Sequence, residues 1–94
     1  QRTLLTAGEP FRLKVIALGL VPDRAVLRWR PLGEEGFRDV PLEHDARGVY
    51  RVTIPPENLA GDFEYYLEVQ TGDVRLLYPA AAPQVNRSVV VLRP

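Results

Sequence analysis

Asp62-Phe63-Glu64-Tyr65-Tyr66-Leu67-Glu68-Val69-Gln70 is the longest alternating run in the chain. Phe63, Tyr65, Leu67 and Val69 fall on one parity, and Glu64, Tyr66, Glu68 and Gln70 on the other. This is the two-residue period of a strand with one face on a core and the other in solvent. Working outward, Thr71-Gly72-Asp73 carries the residues of a tight hairpin turn and leads into Val74 to Tyr78. Upstream, Pro55-Pro56 ends a strand, because proline cannot donate to a ladder, and Glu57 to Gly61 makes a corner with at most one helical turn. The remaining segments have the same period. Phe11, Leu13, Val15 and Ala17 share a face, as do Ala25, Leu27 and Trp29, and Tyr50, Val52 and Ile54. Turn residues at Pro31 to Gly36 and at Asp45 to Gly48 separate these runs, a further strand falls within Phe37 to Leu42, and Pro79 to Pro83 interrupts the chain before a last strand at Arg87 to Leu92.

Seven or eight short strands at this spacing, with no helix beyond one turn, predict an all-β domain built as an antiparallel two-sheet sandwich. The chain is 94 residues long, enough for a single domain spanning 1–94. With 12 basic and 12 acidic residues the formal net charge is zero, which argues against nucleic acid and a polybasic membrane contact as partners. The most apolar stretch, Val15 to Val21, is far short of the ~20 residues of a membrane span. There is no cysteine and a single histidine, so thiol catalysis, disulfides and zinc-finger ligation are not expected. The chain starts at Gln1 and has neither methionine nor a signal segment, so it reads as a piece of a longer polypeptide.

Leu59-Ala60-Gly61-Asp62-Phe63-Glu64-Tyr65 resembles the tyrosine corner of immunoglobulin-like and fibronectin type III domains, with a leucine six residues before the tyrosine. The resemblance implies that Tyr65 returns its hydroxyl to the backbone upstream and that Trp29 is the buried aromatic of the third strand. The wider pattern is Trp-Arg-Pro-Leu-Gly, then Gly-Val-Tyr-Arg-Val-Thr-Ile-Pro, then Phe-Glu-Tyr-Tyr-Leu-Glu-Val. It is similar to immunoglobulin-like accessory modules of large bacterial cell-envelope, secreted or sugar-processing proteins. Eleven of the twelve basic residues are arginine, a skew that agrees with a GC-rich bacterial genome. The resemblance implies a non-catalytic spacer or docking module placed outside the cytoplasm, with neighbouring domains of the same polypeptide, another protein or a polysaccharide as partners. A carbohydrate-binding accessory module is the alternative it allows.

Candidate chemistry is sparse. His44, between Glu43 and Asp45, reads as a loop residue beside a turn, out of reach of any nucleophile. Glu34-Glu35 sits on a hairpin tip, where two carboxylates cannot face each other across a cleft. The aspartates do not have calcium-loop spacing, and Asn86-Arg87-Ser88, an N-glycosylation acceptor pattern, has no role in a bacterium. No catalytic residue, cofactor or metal is therefore expected. By parity the aromatic rings left for a glycan are Tyr66, Phe37 and Tyr78. On the facing sheet, outward Arg12, Lys14 and Arg51, with no acidic residue in register, form a small basic docking patch. Across the first sheet, outward Arg28 and Arg30 should meet Glu64 and Glu68.

Overall fold

The computed structural model describes residues 2–17, 19 and 21–93. It is all-β apart from a 3-10 turn at Pro56–Asn58. Among the described residues there are nine strands: β1 (Arg2–Thr6), β2 (Phe11–Ile16), β3 (Arg24–Pro31), β4 (Arg38–Pro41), β5 (Glu43–Ala46), β6 (Val49–Ile54), β7 (Phe63–Thr71), β8 (Val74–Tyr78) and β9 (Arg87–Leu92). Seven or eight were expected. The two that the alternation misses are β1 and β5, and each lies at a sheet edge, where the inward-outward pattern is weakest.

Six strands form one sheet in the order β1-β9-β7-β3-β4, with β8 also paired to β7, and three form the other in the order β2-β6-β5. All pairings are antiparallel except β1 with β9, which is parallel. Phe11, Val52 and Ile54 from the smaller sheet meet Leu27, Trp29, Phe63, Leu67, Val89 and Val91 from the larger one in a single core, the arrangement of a β-sandwich. Phe63 is its centre. Its ring stands edge-on to Phe11 at 5.4 Å across the gap and edge-on to Trp29 at 5.7 Å within its own sheet, geometries favoured by the ring quadrupole. Trp29 is buried, as its parity predicts.

The corner before β7 departs from expectation. Leu59 is buried as the pattern requires, but among the described residues no hydrogen bond joins the Tyr65 hydroxyl to the upstream backbone. The crossing is held by Asp62. Its carbonyl accepts from the Leu32 N–H at 3.1 Å, and its Oδ1 accepts from the Val91 N–H at 2.8 Å. Asp62 thereby ties the corner to both flanking segments, through its main chain and its carboxylate, and the Tyr65 ring packs on Phe11 at 5.2 Å.

Candidate functional site

The three aromatic residues proposed for a glycan do not share a surface. Tyr66 points outward from β7, as its parity says, but it is only 4% exposed, which corrects the expectation of an open ring. Phe37 packs edge-on against it at 5.1 Å, and the Arg30 guanidinium lies 4.2 Å over Phe37 in turn. The β8–β9 connection also reaches this face, because the Asn86 side-chain amide donates to outward Glu64 at 2.7 Å. Tyr78 belongs to the opposite face of the sheet, in register with inward Leu67.

The expected charge ladder is present. Arg30 pairs with Glu64 at 2.9 Å, and Arg28 lies between Glu68 at 3.4 Å and Asp39 at 3.6 Å. Arg75 holds Glu68 through two bonds, at 2.9 and 3.2 Å. The hydrogen bond from Arg75, together with the charges of Arg28 and Arg75, lowers the Glu68 carboxyl below its ordinary 4.5 against the opposing effect of burial. A carboxyl whose native value is depressed contributes stability that is complete above the ordinary value and is lost as pH falls through the native one. Urea midpoints measured from neutral pH down through the carboxylate range should therefore fall with acid, and Glu68→Gln should flatten that fall. An unchanged slope in the variant would mean that the Arg75 pair does not contribute.

On the smaller sheet, Arg12 and Lys14 face outward from β2, and Lys14 lies opposite Arg51 of β6. The expectation that Arg51 lacks an acidic partner is corrected by β5. That strand brings Glu43 opposite Arg51 and sets Asp45 Oδ2 2.6 Å from its Nε. The bond and charge of Arg51 lower the Asp45 carboxyl, with smaller help from Lys14 and His44. The patch thus reduces to Arg12 and Lys14, which have no ion pair among the described residues. His44 is a strand residue rather than a loop residue, stacked on Tyr50 at 4.8 Å. Among the described residues no group of three or more His, Cys, Asp or Glu side chains is gathered as metal ligands, and no helix is long and apolar enough to cross a membrane.

One concave feature is not announced by the sequence pattern. At one side of the sandwich the sheets part, leaving a cleft of about 820 Å³ between β2 of the smaller sheet and the β7–β8 hairpin of the larger. Its walls are Leu13 and Val15 on one side and Leu67, Val69 and Leu76 on the other. Its polar residues are Tyr65, Tyr78 and Arg87, with Thr3 of β1 at one end and Lys14, whose side chain turns to the outer face, along β2. Burial is the main influence on the Tyr65 phenol and raises its pKa above 10.0, so the hydroxyl stays protonated at neutral pH. The Arg87 guanidinium donates to the Tyr78 hydroxyl at 2.6 Å and lies 5.1 Å from that ring.

The cleft is open because β1 crosses to β9 instead of lying along β2. Leu13 and Val15, whose parity is inward, are only half-buried as a result, and Ile16, Leu76 and Tyr78 stand exposed around the rim at 60%, 44% and 54%. The available signal was the mixed run Arg2-Thr3-Leu4-Leu5-Thr6, in which Thr3, Leu5 and Ala7 share a parity. No family model matches the chain, and no curated protein matches it.

Proposed function

We propose that the chain is a non-catalytic immunoglobulin-like module that docks a neighbouring domain or a partner chain, within a larger bacterial cell-envelope or secreted protein. The observation that carries the reading is the apolar cleft with its exposed rim of Ile16, Leu76 and Tyr78. A module serving only as a spacer has no need to leave such a surface open, and exposed apolar patches framed by polar groups mark interaction sites. The strand order supports the immunoglobulin-like part. Counted from β2, strands 2-6-5 correspond to the B-E-D sheet and 4-3-7-9 to the C′-C-F-G sheet, with β8 as an addition after F. The non-catalytic part is supported by the cleft lining, where the titratable groups are a lysine, an arginine and two phenols, with no carboxylate or imidazole to act as a base near neutral pH. The burial of Tyr66 and the separation of Tyr78 from Phe37 leave the carbohydrate reading without a ring platform.

The test is photocrosslinking in the source cells. A photoreactive residue at Ile16, on the cleft rim, should give adducts that mass spectrometry assigns to one partner or to another segment of the same polypeptide. The same residue at Thr53, exposed on the closed sheet face, is the reference. Equal, scattered adducts from both positions would overturn the docking reading.

A further inference from the structure

We propose that the cleft receives an extended segment of a partner polypeptide, which adds to β2 as a further strand, sends apolar side chains at alternate positions into the gap and presents a carboxylate to Arg87. The proposal rests on the docking reading and names what is docked.

The backbone of β2 supplies the first argument. The Ala17 N–H donates to the Gly48 carbonyl at 2.9 Å, continuing the β2–β6 ladder in register. Antiparallel pairing alternates which residues point their amide and carbonyl at the partner strand. Residues of the Ala17 parity therefore face β6, and Arg12, Lys14 and Ile16 turn their backbone groups to the open edge. β2 is the terminal strand of its sheet, and β8, across the cleft, pairs with β7 alone. Among the described residues the cleft is thus bounded by two unpaired strand edges, the setting in which a peptide binds by main-chain hydrogen bonds. An edge this exposed otherwise invites unselective pairing.

Side chains supply the second argument. Leu13 and Val15 alternate along β2, and Leu67 and Val69 do so along β7, facing them. A strand of about six residues, roughly the length of β2, would set its own alternate apolar residues between them. Charge identifies the polar end. The cleft lining includes no carboxylate. Arg87 has no salt bridge among the described residues, and its guanidinium donates to the Tyr78 hydroxyl. An acidic residue on the inward face of the incoming strand would complement Arg87. A second copy of this chain is a poor occupant, because pairing β2 with β2 would juxtapose Arg12 and Lys14 with their own copies. A small amphiphile would leave the β2 amides unpaired.

The probe is a synthetic octapeptide, Thr-Val-Thr-Val-Thr-Val-Thr-Glu, amidated at its C-terminus so that the glutamate shares the face of the valines and is its one carboxylate, titrated to about 1 mM into the isotope-labelled domain. Shifts should localise to Arg12 through Ala17, Leu67 and Leu76, and hydrogen exchange at the Lys14 and Ile16 amides should slow with occupancy, about twofold at half-saturation and more above it, as for newly paired strand groups. Lys14→Pro removes an outward N–H without touching the β6 ladder and should weaken binding about tenfold, whereas Lys14→Ala should weaken it only a few-fold. Arg87→Gln should weaken this peptide but leave a version ending in glutamine unaffected.

The absence of localised shifts, or shifts without slowed exchange at Lys14 and Ile16, would overturn strand addition. So would full binding by Lys14→Pro, or equal protection appearing at high protein concentration without peptide. If Lys14→Pro fails to fold, exchange at Ile16 in the unaltered domain decides. Crosslinks from Ile16 that persist where no amide slows would leave the docking reading standing and remove the strand.

Discussion

Trp29→Ala is expected to remove a large share of the domain's stability. The indole is 3% exposed. It stands edge-on to Phe63 at 5.7 Å, and the Arg38 guanidinium covers it from the neighbouring strand at 4.8 Å. Replacing a buried tryptophan with alanine costs about 3–5 kcal/mol, the lost transfer free energy plus the cavity left behind. A domain of this size holds only about 5–15 kcal/mol in total. The cost should be at the upper end of its range, because Leu27 and Phe63, its neighbours, are themselves almost fully buried and cannot collapse into the space. Far-UV circular dichroism with urea denaturation checks this. A midpoint within experimental error of the parent would mean that the indole lies at the surface, and an unfolding slope that changes with the midpoint would signal a looser native state.

The position of Trp29 was legible because β3 is central and its two faces differ chemically, apolar at Leu27 and Trp29, charged at Arg28 and Arg30. The same contrast made the β3–β7 charge ladder readable from sequence, with Arg28 and Arg30 set against Glu64 and Glu68. Where the contrast fails, the reading fails with it. Glu43-His44-Asp45-Ala46 has no apolar residue larger than alanine, since β5 is exposed on both faces, so alternation had nothing to register. Its absence from the sequence reading is what made Arg51 look unpaired. The cleft was hidden for a different reason. Parity says which way Leu13 and Val15 point, but not whether a further strand lies along β2 to close the gap between the sheets. That depends on the path of β1, a long-range choice that local periodicity does not encode.

Tyr66 shows the remaining gap between direction and burial, and it yields the second large effect. Tyr66→Ala should cost about 3 kcal/mol or more, close to the loss for a core aromatic residue, even though the ring points away from the core between the sheets. Tyr66→Phe should change stability by less than about 1 kcal/mol, the usual size of a single hydrogen bond, since no hydrogen bond engages the hydroxyl among the described residues. Phe37→Ala should cost less than Tyr66→Ala, because Phe37 is only half-buried. The two losses should not add. An edge-on pair at 5.1 Å is worth about 0.5–1.5 kcal/mol beyond its buried area, so the double variant should be milder than the sum of the singles by that amount. A Tyr66→Ala loss below about 1 kcal/mol, additive with Phe37→Ala, would be the result for an open ring at a surface site. That outcome would return Tyr66 to the role of stacking against a sugar. A large, coupled loss instead assigns the outer face of the sheet a small apolar cluster of its own, sealed by Arg30, and leaves the cleft beside β2 as the surface on which binding is to be sought.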